Sequence, residues 1–116
     1  YNAANQSLNA SYTIALGYNA VAGNASSGFS GRGNIGIGRD TISNLGTSGG
    51  AYNTAIGYYA GQGIQSGDAN IIIGSGSLGV AGESNQLRIG HGNGDVLIHG
   101  DFDSGSLRFL PKNEYM

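Results

Sequence analysis

Residues 13–24 read TIALGYNAVAGN, and residues 52–63 read YNTAIGYYAGQG. The first opens like a β-strand, breaks at Gly17 and Gly23, and carries no charge. The second repeats the pattern that begins at Tyr12. Tyr12 matches Tyr52, Ala15 matches Ala55, Gly17 matches Gly57, Tyr18 matches Tyr58 and Ala20 matches Ala60. Repetition is therefore the first property to explain.

Aligned on the glycine that closes each apolar run, the chain falls into five units. TIALG ends at Gly17, NIGIG at Gly38, NTAIG at Gly57, NIIIG at Gly74 and QLRIG at Gly90, at intervals of 21, 19, 17 and 16 residues. Each interval reads as one coil of a stacked structure. One residue before the glycine stand Leu16, Ile37, Ile56, Ile73 and Ile89, and three before it stand Ile14, Ile35, Thr54, Ile71 and Leu87. Alternation with a period of two is the mark of a strand. Between these positions lie Ala15, Gly36, Ala55, Ile72 and Arg88, of which the first four are small or apolar, so neither face reads as solvated.

After the glycine, Ala20-Val21, Thr41-Ile42, Ala60-Gly61 and Ser77-Leu78 predict a second short strand packed against the first, with the glycine taking positive φ at the reversal. Gly, Asn and Ser fill the return loops. The coils are too short for a βαβ crossover, and interior glycines each cost a helix about 1 kcal/mol relative to alanine. An all-β fold remains, a parallel β-roll or β-solenoid of short Gly-ended strands.

Composition agrees. Of 116 residues 23 are glycine, only 10% are charged, and the net charge is −2. Nucleic-acid binding needs clustered Lys and Arg, and no basic stripe is present. Zero cysteines exclude disulfides and thiolate metal sites. No run approaches the roughly 20 apolar residues that span a bilayer, which predicts a soluble segment with no membrane insertion.

Ile71, Ile72 and Ile73 stand in succession, as do Val96, Leu97 and Ile98, so these strands are apolar on both faces. A narrow roll can cover one face only. A second copy of the chain is the economical cover for the other, although periodicity does not choose the number of copies.

After Gly90 the rhythm changes. QLRIG, DVLIHGDF and SLRFL predict three short strands with turns at Asn93-Gly94 and Ser104-Gly105, the pattern of an antiparallel cap, and Pro111 ends regular pairing. The expected division is a roll over residues 1–85 and a cap over residues 86–116.

Catalysis needs a converging nucleophile, base and orienting group. His91 and His99 lie in the cap outside any recognised motif, so the sequence predicts no enzyme, no catalytic residue and no cofactor. A shared metal on a symmetry axis through these histidines, a calcium turn at Asp95 and Asp101, and a phosphate loop at Gly31, Gly33 and Gly36 are all weaker readings than turn and core roles. No metal site is assigned. The column just after each strand-ending glycine, Tyr18, Arg39, Tyr58, Ser75 and His91, with Tyr59 beside it, offers flat apolar area and polar handles. Tyr18, Arg39, Tyr58, Tyr59 and His91 are the receptor-contact candidates; the alternative is that corner tyrosines only shield the turns.

TIALGYNAVAG, NIGIGRDTISN and NTAIGYYAG resemble the head repeats of YadA-type trimeric autotransporter adhesins. NTAIGY followed by NQLRIG and IHGDF looks still more like the distal parts of phage tail fibres. The resemblance covers roughly Tyr12 to Phe109. It implies a left-handed roll, a homotrimer, and a place in the virion as a structural and adhesive tail-fibre segment that attaches to a host-cell receptor, glycan or protein. A self-cleaving chaperone often follows such a segment. The alternatives it leaves are a bacterial adhesin head at the cell surface and a purely structural spacer; the variable coil lengths favour the fibre.

Overall fold

The computed structural model describes residues 11–23, 30–47, 49–76, 78–92 and 95–111. Seven strands form one sheet in chain order: β1 (Ile14–Leu16), β2 (Ile35–Ile37), β3 (Thr54–Ile56), β4 (Ile71–Gly74), β5 (Gln86–His91), β6 (Asp95–Asp101) and β7 (Ser106–Phe109). The pairs from β1 to β5 are parallel and in register, so the chain makes about four turns of a β-solenoid. β5 then pairs antiparallel with β6, and β6 with β7. The sheet is thus continuous through β5, which serves both as last rung and as first strand of the cap. No helix occurs among the described residues.

The first four glycines close their strands as the alternation implies. Gly17, Gly38, Gly57 and Gly74 have φ between 127° and 135°. A Cβ on any of them would run into the backbone of the corresponding glycine on the next rung. Gly90 behaves differently: β5 runs through it to His91, with a bulge between Ile89 and Gly90 where β6 joins.

Among the described residues the second strand expected after each glycine is absent. Residues 18–21, 39–44 and 58–63 are turns, and Ser77 lies outside the described residues. The chain bends there because left-handed residues recur: Asn19, Asp40 and Tyr59, and then Val21 and Ile42, all have φ between 43° and 59°. Left-handed β-branched residues are uncommon and strained. They are held by bonds between rungs, Val21 N–H to the Thr41 carbonyl at 2.8 Å and Ile42 N–H to the Ala60 carbonyl at 3.0 Å. Val21 and Ile42 also lie fully buried in the core.

Size separates the two apolar faces. Inside lie the small residues of each strand, Gly36 and Ala55, with Ile72 lower down, packed against Val21, Ile42, Leu45, Ala60, Ile64 and Leu78. Outside lie the large ones. The strand register aligns Leu16, Ile37, Ile56, Ile73, Ile89, Ile98 and Phe109 in one column across all seven strands. A second column runs Ile14, Ile35, Thr54, Ile71, Leu87, Gly100 and Leu107. Leu16 is 66% exposed and Phe109 68%.

A polar column borders this core. Asn34, Asn53 and Asn70 precede β2, β3 and β4 and are buried. Each side-chain amide donates to a carbonyl on the next rung: Asn34 to Gly50, Asn53 to Gly67 and Asn70 to Glu83, all at 2.8 Å. Each Oδ1 accepts the backbone N–H of its successor, Asn53, Asn70 and Gln86, at 2.9–3.0 Å. Buried polar groups are tolerated because they are satisfied in this way. The first rung carries Thr13 instead, and its buried Oγ1 has no hydrogen-bond partner among the described residues. The residue before this column is left-handed on every rung, Tyr12, Gly33, Tyr52, Ala69 and Asn85.

The last rung closes the core with a charge. Arg88 occupies the inward position below Ile72, is buried, and pairs with Glu83. Across from it on β6, His99 shares a 2.9 Å hydrogen bond with Gln86 Oε1. Between β6 and β7, Asp101 Oδ1 accepts the N–H groups of Asp103 and Ser104 at 2.8 and 3.2 Å, and Gly105 turns with φ of 68°. The expected turn at Ser104-Gly105 is present; Asn93 and Gly94 lie outside the described residues.

Candidate functional site

The corner after each strand-ending glycine places one side chain per rung at the edge of the sheet, at the strand spacing of about 4.8 Å. The corners are locked in register by backbone bonds, Asp40 N–H to the Tyr18 carbonyl and Tyr59 N–H to the Arg39 carbonyl, both at 2.9 Å. Tyr18, Arg39 and Tyr58 therefore follow one another on three successive rungs.

Arg39 bridges the two rings. Its Cζ stands 5.5 Å from the centroid of Tyr18 and 5.8 Å from that of Tyr58, within cation–π range of both. Its Nε donates to Asp40 Oδ2 at 2.9 Å, while Asp40 Oδ1 accepts Asn19 Nδ2 at 2.9 Å. Asp40 is buried beneath an exposed Arg39 side chain, so the carboxylate works as an anchor and the guanidinium faces outward. The hydrogen bond to Asp40 raises the Arg39 pKa above its ordinary value. Tyr59 packs edge-on against Tyr58 with centroids 4.3 Å apart, and its hydroxyl is pushed up chiefly by the hydrogen bond to Tyr58.

Four of the five candidates thus form one cluster. His91 does not join it: the exposed Ser75 occupies the rung between, and His91 ends β5 opposite Asp95. Asn19 and Asp40, which hold the arginine, escaped sequence reading. Their signal was position, two residues after the glycine, where the left-handed backbone favours Asn and Asp.

The cluster is also one margin of the outer apolar face. Along the first coil the alternate residues are Tyr12, Ile14, Leu16 and Tyr18, and along the third they are Tyr52, Thr54, Ile56 and Tyr58. At the opposite margin Arg32 lies 5.6 Å from the Tyr52 centroid, and the Tyr52 ring covers Gly33, where a Cβ would sit 2.8 Å from the ring. An apolar centre edged by tyrosine and arginine is the anatomy of a protein interface.

Among the described residues no three of His, Asp and Glu gather to hold a metal ion, and no helix is long and apolar enough to cross a membrane. Compared with known proteins, the chain matches no family model, no curated protein and no solved structure.

Proposed function

We propose that this chain is a structural and adhesive segment of a phage tail fibre, a homotrimeric β-roll that attaches the virion to a host-cell surface. The observation that carries the reading is the continuous outer apolar face. Two columns, made of Ile, Leu and Phe except at Thr54 and Gly100, cross seven strands with the large side chains outward. Covering an Ile or Leu contributes roughly 1.5–3 kcal/mol, so three copies packed on these faces gain most of what a single narrow coil lacks.

Support for a fibre comes from shape. The molecule extends 48 Å along its longest axis and 21 Å along its shortest. Rung-to-rung hydrogen bonds at strands, corners and asparagine column make it stiff along the direction in which the rungs stack. Three copies then display three equivalent corner clusters, and effective concentration turns weak contacts into firm attachment. In this reading the chain performs no catalysis and carries no cofactor.

Sedimentation equilibrium tests the assembly, with a trimer expected at micromolar concentration; a monomer there overturns it. Competition of purified protein with virions for host cells tests adhesion, and undiminished virion attachment at saturating protein removes the adhesive role.

A further inference from the structure

The geometry points to the Tyr18–Arg39–Tyr58 cluster as a subsite for a sugar ring bearing a carboxylate, as in a uronic or sialic acid polymer. The inference rests on the adhesive reading and gives it a ligand class.

Three observations converge. First, Asp40 takes the Nε of Arg39, and among the described residues the Nη groups have no hydrogen-bond acceptor. A guanidinium held this way presents its remaining donors as a fork, the geometry that binds carboxylate bidentately. Second, the fork is preorganised. Asp40 is itself fixed by Asn19, and the Tyr18 and Tyr58 rings flank the guanidinium at 5.5 and 5.8 Å, so little side-chain freedom is lost on binding. Third, Tyr18 and Tyr58 are about half exposed and stand two rungs, about 9.6 Å, apart along the axis. That spans two sugar units of an extended glycan, so alternate rings stack their C–H faces on the tyrosines while the carboxylate of the ring between them reaches the arginine.

A neutral glycan would leave the fork without its acceptor. A nucleic acid would demand several cations, and this cluster offers one.

The test is calorimetric titration of the assembled protein with hexagalacturonate, its methyl ester, oligosialic acid and maltohexaose, alongside a cell-adherence assay. Binding of at least one acidic oligomer is expected, with the methyl ester and maltohexaose at least tenfold weaker. Arg39→Gln and Arg39→Lys should each lose about tenfold, the lysine because it keeps charge and lacks the fork. Their oligomeric state and β-rich circular dichroism should equal those of the wild type, with a lower melting temperature in Arg39→Gln, which leaves the buried Asp40 without its cation. The two acids distinguish a uronate from a sialate source. Equal binding of acid and ester, or wild-type affinity in Arg39→Gln, overturns the subsite. So does adherence to cells with no acidic oligomer bound, a result that leaves adhesion standing, whereas loss of adherence itself removes the adhesive reading.

Discussion

Asn70 donates both its backbone N–H and its side-chain amide to a single atom, the Oδ1 of Asn53, each at 3.0 Å. Asn53 in turn donates to Gly67 on the coil below. One buried amide therefore ties the start of a strand to two features of the next coil. Asn53→Ala leaves a buried carbonyl and a buried N–H without partners. Each such loss costs about 1–3 kcal/mol, so the variant is expected to lose about 2–4 kcal/mol of stability, read by urea unfolding at fixed protein concentration.

Thr13 marks the opposite case. It stands where later rungs have asparagine, and its hydroxyl is buried without a hydrogen-bond partner among the described residues. Thr13→Asn extends the column by one rung and is expected to stabilise the protein by about 1 kcal/mol. Chemical denaturation of the two proteins side by side checks the sign. A destabilised variant would show that the first corner differs from the rest.

Ile56 and Ala55 are neighbours with opposite fates. Ala55 is fully buried in the core and Ile56 is 39% exposed on the outer face. Ile56→Asp is expected to separate the copies while leaving the far-ultraviolet circular dichroism of the chain at its β-rich form; light scattering reads the mass. Ala55→Asp buries an unpaired charge and is expected to abolish folding. If Ile56→Asp keeps the parental mass, the outer face is not the interface.

The β6–β7 turn is expected to depend on pH through Asp101. Backbone N–H bonds from Ser104 and Asp103 hold its carboxyl below the ordinary value of 3.8. A group bound less tightly to its proton when folded contributes stability that is complete above the unfolded value and is lost as pH falls through the folded one. Acid denaturation should therefore weaken the wild type below about pH 4. Asp101→Ala should start less stable at pH 7 and change less over the same range.

The strands were legible because two signals coincide in each unit. Apolar alternation sets the strand, and a glycine with φ near 130° ends it, so Ile35–Ile37 and Thr54–Ile56 fall where the spacing puts them. The antiparallel tail was legible from its turn residues at Ser104-Gly105. The inward face was not, because Ala15 and Leu16 are both apolar and differ chiefly in size. A Cβ at Gly36 would meet Val21 and Thr41, and that crowding keeps the larger side chains out. The turns after each glycine misled for a related reason. Val21 and Ile42 have strand propensity, yet tertiary burial holds them left-handed. The corner cluster was legible as a column of residue types, whereas its anchor, Asp40, became visible only once the rungs were stacked.

The glycines of the core make each coil specific to its neighbours. Gly36 leaves room for Val21 and Thr41, Gly61 for Ala55, Ile42 and Ile64, and Gly79 for Ile64 and Ile72. A coil moved, duplicated or exchanged with another would present a side chain where the adjoining coil already has one. The units are alike in outline but not interchangeable bricks. Lengthening such a rod by copying one internal coil would demand compensating changes in the coils on either side, so its length is written into the whole stack.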